Sequence, residues 1–360
     1  MKQINMLQGN PIDLIPSEVI LELRRQIEIP SNHRYPLNES EGYIGLREQI
    51  AQWYDRKYNV RLNPSNEVGV LLGSKEGILY FLLSHVSKGD YVIITNPCYQ
   101  TYKFLISYVG AIPFELNIGI DNNFLPDFES VPKAVLNKTK AIIINYPNNP
   151  TCAVATKLFF DKLIKFAIVN NLKVINDNPY LEYVMNPDDK LSILESEEAK
   201  SVCIELNSFS KTFCMAGWRL GMVVGNEQII SKMIQLKKMV DAGQFLALQK
   251  AAIIALREEN DIYIENLTKK FAIRKREAIE ELTKLGWDYR FQKGTYYIWM
   301  PCRGTGNSIE YCNFLKERAN ILVTSGLKYG TNGEGYIRMS LALKDEDFQE
   351  VLFRLNKIYH

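Results

Sequence analysis

Between residues 68 and 224, short apolar runs alternate with stretches of helical periodicity. Val68 to Leu72, Tyr91 to Thr95, Ala111 to Leu116, Lys140 to Tyr146, Leu172 to Asn176, Val202 to Leu206 and Met222 to Val224 read as strands. Ser74 to Val86, residues 99–109 and Thr156 to Asn170 read as helices between them. In the last of these, Phe159, Leu163 and Phe166 fall on one face at i, i+4 and i+7. A strand that is apolar at nearly every position needs cover on both faces. The pattern therefore predicts a mostly parallel sheet buried between helices. In such sheets ligands bind beyond the C-terminal ends of the strands, so that is where chemistry is sought.

The final third differs. Residues 261–285 form one long, charge-rich helical pattern ending at Gly286. Strand candidates follow at Tyr296 to Met300, Ile321 to Thr324 and Tyr336 to Ser340, with helices at 308–319 and 345–357. This predicts a second, smaller α+β domain. The N-terminal residues carry no strand–helix repeat and are expected to join it. The expected division is a large domain over residues 35–250 and a small domain made of 1–34 plus 251–360.

Composition removes several function classes. Lys and Arg total 43 and Asp and Glu 41, a net charge of +2 that offers no field toward nucleic acid or an anionic membrane. The histidines are His33, His85 and His360, too few for a histidine-rich metal site, and no metal is expected. The six cysteines contain no C-x-x-C pair, and a chain of 360 residues needs no disulfide framework. No N-terminal apolar run has signal-peptide length, and no window reaches the roughly 18 apolar residues of a membrane span. The expected location is the cytoplasm.

Four elements carry chemistry: Pro147-Asn148-Asn149-Pro150-Thr151, Asp177-Asn178-Pro179-Tyr180, Ser208-Phe209-Ser210-Lys211 and Gly217-Trp218-Arg219-Leu220-Gly221. Three of them follow a strand candidate, so an Asn, an Asp, a Tyr, a Lys and an Arg are placed to converge on one crevice. Ser208 to Lys211 also fits the S-x-x-K pattern of serine acyl enzymes, but the companion S-D-N and K-T-G elements are absent. No P-loop and no G-x-S-x-G elbow is present.

With these motifs, and above all the run SFSKTFCMAGWRLGMVVG, the sequence resembles the fold-type I pyridoxal phosphate (PLP) aminotransferases of class I/II. The resemblance spans Gly9-Asn10-Pro11 to Tyr336-Ile337-Arg338. The GSKEGI stretch and the lysine segment look most like LL-diaminopimelate and aspartate aminotransferases. It implies an α/β fold-type I architecture, pyridoxal 5'-phosphate as cofactor, and amino-group exchange between an L-amino acid and a 2-oxo acid such as 2-oxoglutarate. The implied donor is acidic or diamino-dicarboxylic.

The resemblance also implies roles. Lys211 would form the Schiff base and later move the substrate proton. Asp177 would pair with the ring nitrogen, and Asn149 and Tyr180 would hydrogen-bond the ring oxygen. Tyr99 would stack on the ring. Ser74, Lys75, Ser208 and Arg219 would hold the phosphate, joined by Tyr35 from a neighbouring subunit of a homodimer. Arg338 would grip the substrate carboxylate, with the Gly9 backbone beside it, and Lys75 could reach a distal carboxylate. Cys152 stands where the family usually has glycine, and Pro179 where alanine is common. A decarboxylase or carbon–sulfur lyase could use the same Lys, Asp and Arg. A binding or regulatory protein is the reading from another class, against which the complete catalytic set argues.

Overall fold

The computed structural model describes residues 2–36, 39–287, 292–304 and 306–359, so His360 lies outside the described residues. The strands are β1 (Ile4–Asn5), β2 (Val68–Leu71), β3 (Tyr91–Asn96), β4 (Ile112–Asn117), β5 (Thr139–Ile144), β6 (Lys173–Asp177), β7 (Cys203–Ser208) and β8 (Gly221–Gly225), followed by β9 (Tyr297–Pro301), β10 (Ile321–Leu322), β11 (Thr324–Ser325) and β12 (Tyr336–Ser340).

Strands β2 to β8 form one seven-stranded sheet in the order β2-β8-β7-β6-β5-β3-β4. Four neighbouring pairs, from β7 to β4, are parallel. Only β8 runs against its neighbours β2 and β7. The reversal has a direct consequence: the start of β8 lies at the same edge as the ends of β2, β3, β5, β6 and β7. Residues just before Gly221 therefore share an edge with those just after Leu71, Asn96, Ile144, Asp177 and Ser208.

The central strands of this sheet are buried on both faces. Along β5, Ile142 and Ile144 pack into one apolar cluster while Ala141 and Ile143 pack into another on the opposite face. This alternation is why the strand reads as a continuous apolar run. Each such isoleucine contributes about 1.5–3 kcal/mol by burial.

Two expectations need correction in detail. On the helix Lys157–Val169 the buried stripe is Phe160, Leu163, Ile164 and Ala167, whereas Phe159 and Phe166 are half-buried against Phe128. Those two rings pack against the rim of the core and also line a separate pocket with Phe128. The segment 321–324 is two short strands, because Ile321–Leu322 pairs with Ile4–Asn5 and Thr324–Ser325 pairs with β12. A change of partner breaks the strand.

The order β11-β12-β9 makes a separate antiparallel sheet. The N-terminal segment is tied to this part of the chain: β1 pairs with β10, and the Ser340 amide donates to the Met6 carbonyl at 3.0 Å. The helix Ser17–Ile27 instead lies along the helix Leu246–Ala255.

Candidate active site

A cavity of about 500 Å³ opens where the shared edge of the large sheet meets the N-terminal segment and β12. Every residue singled out from the sequence lines it except Tyr35: Gly9, Ser74, Lys75, Tyr99, Asn149, Asp177, Tyr180, Ser208, Lys211, Arg219 and Arg338 are all there. Tyr35 is 79% exposed and is not among the lining residues of the single chain. Sequence reasoning missed Tyr102, Asn145, Ser210 and Tyr297, which line the same cavity.

Asp177 is the last residue of β6 and is buried. Its Oδ2 accepts from the Tyr102 hydroxyl at 2.7 Å, and its Oδ1 has no hydrogen-bond partner among the described residues. Burial pushes its carboxyl up to about 6, against the lowering influence of Tyr102, the nearby Ser74 hydroxyl and the Lys75 charge. A buried carboxylate oxygen without a donor is costly, and a cation supplied by a ligand would remove the cost. The Asn145 side chain follows β5 directly and donates to the Asp177 carbonyl, while its Oδ1 accepts from the Asn149 amide at 2.7 Å. One asparagine thus locks the β5 and β6 ends together.

Lys211 lies in the short helix Phe209–Thr212 that follows β7. Its Nζ donates to the Gly9 carbonyl. Burial, then the charges of Arg338, Arg219 and Lys75, hold its amine down to about 8. A lysine with this value has a far larger neutral fraction near neutral pH than an ordinary lysine, and the neutral amine is a nucleophile and a proton acceptor.

The opposite end of the cavity is an anion cradle. Gly73 sits at φ +80°, and a Cβ there would meet Arg219 Nη2 at 2.7 Å. The positive φ favours glycine, and the lack of a side chain leaves room for the guanidinium at the start of the helix Ser74–His85. Arg219 itself adopts a left-handed backbone and donates to the Ala216 carbonyl at 2.9 Å. The first turn of that helix presents free N–H groups beside Ser74, and Ser208 and Ser210 hydroxyls complete the set. Lys75 Nζ lies 5.4 Å from the Tyr99 ring centroid.

Arg338 projects from β12. Its Nη1 donates to Asn149 Oδ1 and its Nη2 to the Leu7 carbonyl, each at 2.8 Å. Its Nε has no partner among the described residues. The guanidinium carbon lies 4.0 Å from the centroid of the Tyr297 ring. A Cβ at Gly9 would fall 1.6 Å from the Tyr297 hydroxyl, so only glycine fits there. Cys152 has φ +65°, the conformation that explains a glycine preference at that position.

The arrangement pairs a depressed-pKa amine with a buried carboxylate, one cradle for a phosphate-like anion, and one guanidinium for a carboxylate. Among the described residues no group of acidic, histidine or cysteine side chains is arranged to hold a metal ion, and no helix is long and apolar enough to cross a membrane.

The family model for aminotransferase class I and II matches residues 1–355. The LL-diaminopimelate aminotransferase of Dehalococcoides mccartyi (strain CBDB1) is 39% identical over 352 residues, covering 98% of this chain and 90% of that protein. The structure of an aminotransferase from Staphylococcus aureus superposes with a TM-score of 0.95 at 33% identity, covering 100% of this chain and 94% of the other. The apo structure of BacF from Bacillus subtilis gives 0.93 at 37% identity, with 100% and 95% covered. Sequence, fold and site agree: the chain belongs to the class I and II aminotransferases and is an enzyme that transfers amino groups.

Proposed function

We propose that the enzyme uses pyridoxal 5'-phosphate to move an amino group from an acidic or diamino-dicarboxylic L-amino acid to a 2-oxo acid, with glutamate and 2-oxoglutarate as one exchanging pair. The single observation that carries the cofactor reading is the buried Oδ1 of Asp177, without a hydrogen-bond partner among the described residues, in a cavity that also holds a lysine of lowered pKa and an anion cradle. These residues fit the cofactor. When bound, the cofactor supplies an aldehyde for the amine and an electron sink that makes the substrate Cα–H acidic.

The residues of the chain then have distinct tasks. Arg219, Ser208, Ser74 and the first helical N–H groups would hold the phosphate. Asp177 would keep a proton on the ring nitrogen, an interaction worth about 4 kcal/mol at 4 Å and an effective dielectric near 20. Tyr99 would flank the ring. The Tyr180 hydroxyl and the side-chain Nδ2 of Asn149 would donate to the ring oxygen, since Asn149 Oδ1 is already taken by Arg338. Arg338 would bind and orient the substrate α-carboxylate beside Gly9, which selects the Cα–H bond for cleavage. Lys211, whose amine reaches into the same cavity, would be the group that takes the proton from the substrate Cα.

A diamino-dicarboxylic donor is favoured by the likeness to LL-diaminopimelate aminotransferases and by Lys75, a cation in the cavity wall that could meet a second carboxylate. The exposed Tyr35 supports a homodimer in which each copy sends this residue to the other's phosphate. For the division into residues 35–250 and 1–34 with 251–360, the pairing of β1 with β10 and the second sheet within 297–340 support the grouping of the first residues with the C-terminal part, while the helix Leu246–Ala255, along which Ser17–Ile27 lies, spans the 250/251 boundary. The test is the visible spectrum of the protein loaded with the cofactor. Glutamate or LL-diaminopimelate should bleach the yellow band, and 2-oxoglutarate should restore it. A protein that stays colourless with the cofactor overturns the proposal.

A further inference from the structure

Tyr297 was not singled out by any motif, yet it touches both halves of the site. Its position follows from sheet register. In the β9–β12 pair, Tyr297 is opposite Ser340 and Trp299 is opposite Arg338, so Tyr297 and Arg338 are diagonal neighbours on one face. The guanidinium lies over the Tyr297 ring at 4.0 Å from its centroid, and both residues are buried. A desolvated cation on an aromatic face is held in place without a charged partner, so the guanidinium keeps its charge for a ligand. The same ring carries a hydroxyl that lies 2.8 Å from the Tyr180 hydroxyl.

We infer that Tyr297 is a positioning residue with two separable tasks: its ring holds Arg338 for the substrate carboxylate, and its hydroxyl donates to Tyr180 and thereby turns the Tyr180 hydrogen toward the cofactor. The inference rests on the cofactor reading above. Its second half follows from hydrogen-bond counting. A phenolate-like ring oxygen only accepts, so Tyr180 must donate its one hydrogen to it. The hydroxyl pair at 2.8 Å then has one possible sense, with Tyr297 as donor. A hydrogen bond into the Tyr180 oxygen also strengthens the hydrogen bond that Tyr180 gives. The requirement for glycine at position 9 belongs to the same device, because any side chain there would displace the Tyr297 hydroxyl.

Two variants of the cofactor-loaded protein separate the tasks. Tyr297→Phe keeps the ring and loses the donor. Removing one hydrogen bond of about 1 kcal/mol should raise the pH midpoint of the visible band by about 0.5–1. Asp177, Lys211, Lys75, Arg219, Arg338 and Tyr180 face the same cavity and are unchanged in this variant. Its dissociation constant for 2-oxoglutarate should stay within about twofold, since the cation–π contact remains. Tyr297→Leu removes ring and hydroxyl together, and should show the same spectral shift plus an affinity loss of about tenfold or more. A wild-type pH midpoint retained in Tyr297→Phe overturns the hydroxyl's role, and unchanged affinity in Tyr297→Leu overturns the ring's. A wild-type protein without a visible band overturns the cofactor reading itself, and the inference with it.

Discussion

Two buried carboxylates stand on adjacent strands and face opposite ways. Asn176 of β6 is in register with Glu205 of β7, and Asp177 is in register with Leu206. Alternation along the strands sends Asp177 to the cavity and Glu205 to the other face of the sheet. Glu205 accepts from five donors: Tyr54 at 3.0 Å, Ser192 at 2.9 Å, and Asn176, Asn178 and the Ile193 amide at 3.0, 3.2 and 3.2 Å. Among the described residues Asp177 accepts from Tyr102 on Oδ2 and has no hydrogen-bond partner on Oδ1. The first carboxylate is saturated by its own chain and fixes structure. The second is left short of partners, at a cost the fold bears for the sake of a ligand. The two asparagines that bond Glu205 flank Asp177 on either side in sequence, so the saturated group steadies the unsaturated one.

This comparison can be broken or sharpened by substitution. The largest effect belongs to the cavity side. Lys211→Ala should lower amino transfer by at least about 10⁴-fold, because it removes both the nucleophile and the proton carrier. Asp177→Asn should lower kcat/KM by about 10²–10⁴-fold while leaving the fold intact, measured by steady-state kinetics beside a circular dichroism melt. Glu205→Ala should reverse that profile. It strands five donors and should destabilise the protein by about 3 kcal/mol in denaturant unfolding. If Glu205→Ala melts like the wild type, its neighbours do not depend on it and the contrast fails.

The smallest effect is a pH dependence. In cofactor-free protein the folded state holds the Asp177 proton up to about 6, whereas the unfolded value is 3.8. Between those limits the folded state binds more protons, so rising pH takes stability away. Asp177→Asn lacks this loss. It should therefore gain on the wild type between pH 4 and 6, by about 1–3 kcal/mol at the upper end. A stability difference that is flat with pH would show that Asp177 is not strained in the empty site.

The same contrast explains what the sequence made legible. Asn149, Asp177, Tyr180, Ser208, Lys211 and Arg219 each stand at or just beyond a strand end or precede the antiparallel β8, so an apolar run with a polar break locates them. Gly9 and Arg338, far away in the chain, were reached through the family resemblance alone. Tyr297 left no signal because it lies inside a strand, where a tyrosine reads as core. Tyr102 sits within the helix Thr101–Tyr108 one turn beyond Tyr99, and its bond to Asp177 exists only after the β3 and β6 ends are brought together. Glu205 was equally silent, since a charged residue amid CIELNS looks like a break in an apolar strand until its five donors are in place. The strands themselves were read well because burial on both faces leaves little freedom in composition. The split of 321–325 was not, because it depends on which partner each pair of residues finds.

The most direct test of the account follows nitrogen itself. LL-diaminopimelate or glutamate labelled with heavy nitrogen is incubated with the cofactor-loaded enzyme and an unlabelled 2-oxo acid, and the new amino acid is analysed by mass spectrometry. The account predicts label in the product amino group with the wild-type enzyme and none above background with Lys211→Ala. Label transfer by Lys211→Ala at the wild-type rate, or release of the label as ammonia by the wild type, would contradict it.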